Sequence, residues 1–149
     1  MSSRTIVIDA ENLILGRMAT FIAKRLQEGY RVYVINAEKA VLSGEPKMVI
    51  DSYKLLLKVR TYRNPYKLGR KRPRSPIRLV KEAVKGMLPR NWRSKLLLKN
   101  LKVYVGKPKE LEGLKVEPIK IPDASVERLG KKYIYLGDVA KHLGWRGGS

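Results

Sequence analysis

Arginines and lysines crowd the middle of the chain, and their chemistry is the clearest functional signal in the sequence. Residues 63–76, here called the basic arm, hold six basic residues, three prolines and no acidic residue. Guanidinium groups bind phosphates in bidentate geometry and stack on exposed bases. The phosphate-binding candidates in and around the arm are Arg60, Arg63, Lys67, Arg70, Lys71, Arg72, Arg74 and Arg78.

Two tyrosines, Tyr62 and Tyr66, lie among these cations and are candidates for stacking on unpaired bases. The prolines favour an extended backbone and the arm has few apolar residues, so we expect it to order on binding. Its position between two predicted helices favours nucleic-acid contact over a solvated charge run or a localisation signal. RNA is favoured over DNA because the sequence shows no recognition-helix module, zinc ligand set or zipper.

The formal net charge of +20 is concentrated in one part of the chain. Residues 58–109 hold 18 basic residues and one acid, Glu82. By contrast, residues 1–57 hold 8 basic and 6 acidic residues, a net charge of +2. Residues 110–149 hold 7 basic and 6 acidic residues, a net charge of +1. Such a surplus repels itself unless phosphates or counterions neutralise it. The middle third is therefore predicted to bind a polyanion.

Composition also excludes several classes of protein. The 149-residue chain has no cysteine, which rules out disulfides, cysteine-ligated zinc, iron–sulfur clusters and thiol nucleophiles. No apolar run approaches the roughly 18 residues of a membrane span, and no signal-peptide pattern follows Met1. We expect a cytoplasmic protein with no metal or other cofactor, no small-molecule substrate and no membrane contact.

Possible catalytic residues are sparse. Asp9 and Glu11 lie at the C-terminal end of the first predicted strand, where α/β folds often bind ligands, but two carboxylates alone make a weak magnesium site. We expect them to cap the following helix and orient the turn. Residues 43–47 lack the spacing of a phosphate-binding loop, and no nucleophile elbow precedes His142, the single histidine. The sequence therefore does not favour an enzyme.

The hydrophobic pattern predicts alternating strands and helices. Residues 5–9 and 31–36 read as strands, and the intervening helix carries apolar residues at helical spacing before a stop at Gly29. A strand, a helix and a strand in succession predict parallel pairing with a right-handed crossover. The further predicted elements are helices at 46–60, 77–88, 91–99 and 138–143 and strands at 101–106 and 133–136.

These elements predict the α/β fold class, with a small, mainly parallel sheet. The second of these further helices is expected to begin at a Ser75 N-cap and a Pro76 N1 residue, and to bury a face that includes Ile77 and Met87. Trp92 and Trp145 are expected to be core or contact anchors. One domain over residues 1–149 is expected, with an irregular C-terminal segment at 107–149.

Several motifs, in order along residues 8–106, resemble one known family, the universal large-subunit ribosomal protein thirteen (L-thirteen) family. The most specific is Ala-Val-Lys-Gly-Met-Leu-Pro at 83–89. The others are Ile-Asp-Ala at 8–10, Leu-Gly-Arg-Met-Ala at 15–19, Val-Ile-Asn-Ala at 34–37, Ser-Gly at 43–44, Arg-Ser-Pro at 74–76 and Leu-Lys-Val-Tyr-Val-Gly at 101–106. The very basic arm and Lys-Pro-Lys at 107–109 indicate an archaeal-type member.

This resemblance implies a three-layer α/β/α core around a four-stranded parallel sheet. It also implies a structural, non-catalytic constituent of the large ribosomal subunit that binds large-subunit rRNA and neighbouring ribosomal proteins and joins early in assembly. A free mRNA-binding translational regulator is the alternative. A further alternative is a nucleotide-binding or RNA-modifying enzyme that uses the strand-end carboxylates.

The matching positions suggest four RNA-facing residues, three of which lie outside the arm. They are Arg17, Arg74, Lys85 and Lys102, and the basic region adds Arg90 and Arg93 to the candidates. The resemblance further implies that four glycines serve at turns or where another group approaches the backbone closely. These are Gly16, Gly44, Gly86 and Gly106.

Overall fold

The computed structural model describes residues 4–59, 61–64, 73–111 and 118–147. In these residues the strands are β1 (Thr5–Asp9), β2 (Arg31–Ile35), β3 (Val41–Ser43), β4 (Leu101–Val103) and β5 (Tyr133–Tyr135). The α-helices are α1 (Leu15–Gln27), α2 (Pro46–Lys58), α3 (Pro76–Met87), α4 (Trp92–Leu98) and α5 (Leu136–Leu143). This mixture of strands and helices confirms the α/β class. The single domain and the irregular segment 107–149 stay predictions.

A small parallel sheet forms the centre of the fold, with strand order β1-β2-β4. The β1-α1-β2 crossover confirms the predicted parallel unit. Ile119 adds a one-residue parallel bridge to Ile8 on the other edge of β1. The amide of Ile119 donates to the Val7 carbonyl at 2.8 Å, and the amide of Asp9 donates to the Ile119 carbonyl at 3.2 Å. The described residues thus give three full parallel strands and a single-residue fourth position, where the resemblance implied four strands.

Strands β3 and β5 form a separate antiparallel pair, with Leu42 opposite Ile134. The prediction of a strand near 133–136 is confirmed, but β3 was not predicted. Its three residues are too few to show an alternating pattern. A bridge between Ile14 and Val41 ties this pair to the start of α1.

Helices α1 and α3 pack together over one face of the parallel sheet and form the main core. Burial of a large aliphatic side chain contributes about 1.5–3 kcal/mol, so this layer is the principal source of stability. Its fully buried members include Met18, Ile22, Leu26, Val80 and Val84.

The buried face of α3 is rotated relative to the predicted one. Leu79 is buried, whereas Met87 is 42% exposed and its sulfur accepts a hydrogen bond from the Thr20 hydroxyl at 3.2 Å. Ser75 and Pro76 begin the helix as predicted, and the Ser75 hydroxyl oxygen accepts from the amide of Arg78 at 3.4 Å. The start of the helix was therefore easier to predict than the edge of its apolar face.

The opposite face of the sheet carries a smaller cluster of Val7, Ile35 and Leu111. Tyr33 and Tyr104 pack against it, with their rings stacked at a centroid distance of 6.5 Å. A 3₁₀ turn at Lys109–Leu111 brings Leu111 onto this face. In the described part of the chain this third layer is thus a short turn rather than a long helix.

Helix α2 packs against α5 and β5 in a third cluster, which includes Tyr53, Ile134 and Val139. None of its residues is fully buried, and Met48 and Leu55 are exposed on its outer side. Among the described residues, no helix combines the length and the apolar character that are needed to cross a membrane.

Candidate nucleic-acid interface

The outer face of α3 presents a row of charged side chains. Arg78, Lys81, Glu82 and Lys85 are exposed, and each of them is three or four residues along the chain from two of the others. Residues at these spacings share one face of a helix. Because Leu79, Val80 and Val84 fix the other face in the core, the charged row must point outward.

A tight turn places α4 beside this row. The amide of Asn91 donates to the Pro89 carbonyl at 3.0 Å, and the Asn91 side-chain oxygen caps α4 by accepting from the amide of Ser94 at 3.1 Å. Leu88, just before the turn, is buried and anchors it to the main core. As a result, Lys95 of α4 faces the same space as the cations of α3.

Two adjoining cavities lie between these helices, and together they form what we call the α3–α4 groove. One has a volume of about 320 Å³ and the other of about 930 Å³. Glu82, Lys85 and Lys95 line both of them. The smaller cavity is completed by Arg78, Lys81, Leu98 and Lys99. The larger one is completed by Pro73, Gly86, Pro89, Arg90, Asn91, Trp92 and Ser94.

The groove is electropositive, because six cationic residues line it together with a single carboxylate, Glu82. The ion pairs found within the described residues are Arg25–Glu28, Lys39–Glu11 and Arg128–Asp123, and none of them involves the groove. The groove cations are thus not neutralised by described carboxylates, and they suit a polyanionic ligand.

Three of the predicted phosphate-binding residues meet in the groove: Arg78, Lys85 and Arg90. Arg93 lies on α4 and is exposed but does not line either cavity. Arg63 is exposed in the described segment 61–64. The folded chain therefore gathers part of the predicted set on one surface.

Three other predicted residues lie elsewhere. Arg17 donates from Nη1 to the backbone carbonyl of Asp123 at 2.9 Å, which ties α1 to the C-terminal part of the chain. Arg74 reaches the end of α5, with Nη1 3.7 Å from the position of a Cβ built on Gly144. Lys102 is exposed on β4 between buried Leu101 and Val103, so it lies on the sheet face opposite α1 and α3. Their RNA-binding roles stay predictions.

Of the two stacking candidates, Tyr62 has a fully exposed side chain. The other candidates fall outside the residues that the structure describes. They are Arg60, Tyr66, Lys67, Arg70, Lys71 and Arg72.

Three lysines and a tryptophan of the groove were not among the predicted RNA-binding residues: Lys81, Lys95, Lys99 and Trp92. The spacing of Lys95 and Lys99 on a predicted helix was a usable signal. No such signal marked Trp92, because the sequence left both a core position and a contact position open for it. It is 75% exposed in the structure, whereas Trp145 packs against the main core as expected.

The carboxylate of Asp9, the last residue of β1, organises the turn that follows the strand. Asp9 Oδ1 accepts from the amide of Glu11 and from the side-chain amide of Asn36, each at 3.0 Å. The expected capping role is wrong, because the N-cap residue of α1 is Ile14, without a side-chain bond. In the part of the chain described here, no three acidic or histidine side chains are grouped for a metal ion.

The four glycines divide into two pairs. Gly44 and Gly106 have φ angles of +126° and +69°, so each supplies a turn conformation that other residues rarely adopt. Gly16 and Gly86 lie inside helices, and an added Cβ at either would meet no described atom within 4 Å. Among the described residues, no close approach of another group explains the latter pair.

Comparison with known proteins places the chain among ribosomal proteins. The sequence model of the family described as Ribosomal protein L13 matches residues 3–110. Large ribosomal subunit protein uL13 of Saccharolobus solfataricus is 50% identical over 147 residues, which cover 99% of this chain and 97% of that protein. Its namesake from Aeropyrum pernix is 49% identical over 148 residues, covering 98% and 94% of the two chains.

A more distant namesake, from Archaeoglobus fulgidus, is 43% identical over 144 residues, which cover 95% of this chain and 88% of that protein. The similar proteins are mostly archaeal and are named as ribosomal proteins, not as enzymes. These matches confirm the resemblance that the sequence motifs indicated, including its archaeal type.

Proposed function

The chain belongs to the ribosomal protein L13 family, and on that premise we propose that it is a structural constituent of the large ribosomal subunit. It binds large-subunit rRNA, contacts neighbouring ribosomal proteins and joins the subunit early in assembly, in the cytoplasm. The near-complete coverage of relatives that carry a large-subunit name supports this role.

The observation that carries RNA binding is the α3–α4 groove. Its cations come from two helices that the core holds in place, so their geometry exists before the ligand arrives. Preorganised charges bind phosphates without the entropic cost of ordering a loop. Lys85 and Lys95 line both cavities, so a strand that runs from one cavity to the other would pass both ammonium groups.

In this mechanism the neutral scaffold orients the groove, while the basic arm adds charge next to it. Pro73, one of the described residues of the arm, lines the larger cavity, so the arm meets the groove at this residue. Segments of folded RNA that converge here would have their mutual repulsion reduced by the cations. This is how the chain would stabilise the architecture of the subunit.

The test replaces Lys81, Lys85 and Lys95 together by alanine. Log affinity falls as log salt rises, and each phosphate contact makes this slope steeper by roughly 0.7–0.9. We therefore expect the slope of the variant to be shallower than that of the wild type by about 2. Binding to large-subunit rRNA is measured by filter binding between about 50 and 200 mM salt. The variant should also be washed from large subunits at lower salt than the wild type.

The matched control replaces Lys24, Lys47 and Lys131, which are exposed but line neither cavity. It removes the same charge, so an equal fall in both variants would show that only net charge matters and that the groove is not the site. A wild-type chain found mainly outside large subunits would favour the free mRNA-binding regulator instead.

A further inference from the structure

The larger cavity of the α3–α4 groove has features that phosphate binding alone does not need. It is lined by an exposed aromatic ring, Trp92, by a bare helical backbone at Gly86, and by the lone carboxylate of Glu82. Its volume of about 930 Å³ lies within the range of roughly 300–1,000 Å³ that is typical of ligand pockets. We propose that this cavity binds a single unpaired guanine base of the RNA, which deepens and rests on the proposed function.

Trp92 supplies the surface on which the base stacks. It begins α4 next to Asn91, whose side chain caps the helix, so the position of its backbone is fixed. A tryptophan that stays 75% exposed leaves a large apolar area in contact with water, an area that a stacked base would cover. Base stacking on aromatic rings is a general mode of binding for unpaired RNA.

Gly86 leaves room for the base. It lies in the last turns of α3, where glycine is less stabilising than alanine, yet an added Cβ would meet no described atom within 4 Å. The described residues therefore give no steric reason for glycine here. A ligand that must come close to the helix backbone in the cavity does give one.

Glu82 supplies the preference for guanine. A carboxylate repels phosphates, and Glu82 forms no ion pair with any described residue, so it is available to accept hydrogen bonds from a donor group of a ligand in the cavity. The Watson–Crick edge of guanine carries two adjacent donors, N1–H and the 2-amino group, and a carboxylate accepts both. Uracil offers one donor on that edge, between two carbonyls that repel the second carboxylate oxygen.

The test measures binding of the full chain to four labelled RNA heptamers by fluorescence anisotropy at low salt. All have three uridines on each side of a central position, which is guanosine, inosine, uridine or an abasic site. Inosine lacks the 2-amino group. We expect guanosine to bind roughly 5- to 100-fold more tightly than uridine, inosine to lie between them and the abasic RNA to bind most weakly.

Three variants separate the contributions of the pocket. Trp92→Ala should lose most of the difference between guanosine and the abasic RNA, and Trp92→Phe should keep much of it. Gly86→Ala should bind the guanosine RNA more weakly although its melting temperature rises. Glu82→Gln should lower the affinity for guanosine and remove the preference for it over uridine.

Glu82→Gln is the decisive variant, because a purely electrostatic groove would bind all four RNAs more tightly when an acid is removed. Glu127→Gln removes the same charge from an exposed position outside the groove and should leave the preference intact. Equal binding of the four heptamers, or no binding to any, overturns the guanine pocket. The proposed function fails separately, if the wild type does not associate with large subunits.

Discussion

At the scale of single residues, Asp9 shows how a polar group serves the fold. One oxygen of its carboxylate joins the end of β1 both to the following turn, through the amide of Glu11, and to the end of β2, through Asn36. Asn36 has a φ angle of +56°, a left-handed conformation that asparagine adopts more readily than most residues. The two strand ends are thereby held together beside the start of α1.

Replacing Asp9 by alanine should lower the free energy of unfolding by about 1–3 kcal/mol, because two partly buried donors lose their acceptor. Asp9→Asn should cost less, since its amide oxygen can accept the same bonds. Urea denaturation followed by circular dichroism measures both. Asp51→Ala, at an exposed position of α2, is the control and should change stability by no more than about 0.5 kcal/mol. If Asp9→Ala falls within that limit too, the turn does not depend on this carboxylate.

The two tryptophans mark what sequence alone could not decide at this scale. Both have leucine and basic residues near them in the chain, yet Trp145 packs against the main core and Trp92 projects into the groove. The difference comes from neighbours that are distant in sequence. In the same way, the sequence shows that Arg17 has a side chain able to bind phosphate, but it does not show the hydrogen bond of that side chain to the carbonyl of Asp123.

At the scale of elements, strong periodicity made α1 and α3 predictable, and one end of each was marked by a particular residue: Gly29 after α1 and Ser75 before α3. Gly29 follows α1 with a φ angle of +94°, the left-handed conformation that a glycine just after a helix commonly adopts. Strand β3 escaped prediction because it is three residues long and depends on β5, more than 85 residues further on, for its pairing. The groove was not predicted for a similar reason, since the turn at 88–91 and the core together determine how α4 lies against α3.

Helix α2 gives a prediction for its own packing. Tyr53 lies half-buried in the cluster that joins α2 to α5, and this burial raises the pKa of its hydroxyl above the ordinary value of 10.0. The folded state therefore holds this proton more tightly than the unfolded state does. The contribution to stability is complete below about pH 10 and is lost as the pH rises through the folded-state pKa.

We expect Tyr53→Phe to lose less stability than the wild type when the pH is raised through this range, since phenylalanine has no proton to release. Guanidinium denaturation at a series of alkaline pH values measures the difference between the two proteins. Tyr62→Phe is the control, because the Tyr62 side chain is fully exposed. Parallel stability curves for the wild type and Tyr53→Phe would show that α2 does not bury this hydroxyl in solution.

At the scale of the whole molecule, the formal charge of +20 alone predicted only a polyanionic partner. The concentration of this charge in residues 58–109 indicated which part of the chain carries the basic surface. In the folded protein these basic residues lie on more than one surface. Arg78, Lys85 and Arg90 converge with Lys81, Lys95 and Lys99, while Lys102 lies on the other side of the sheet. Charge position in sequence is thus a good guide to where the cations are concentrated and a poor guide to which of them lie together in the fold.

This division leads to a prediction about additivity. Replacing Arg70, Lys71 and Arg72 of the basic arm by alanine should reduce the salt slope of rRNA binding by about 2, as for the groove triple, if each cation contacts one phosphate. The six replacements together should reduce it by about 4, because the arm and the groove contact different phosphates of one continuous RNA surface. The melting temperature of the arm variant should stay close to that of the wild type. A combined effect no larger than that of either triple would mean that the arm and the groove compete for the same phosphates, and the continuous surface would have to be abandoned.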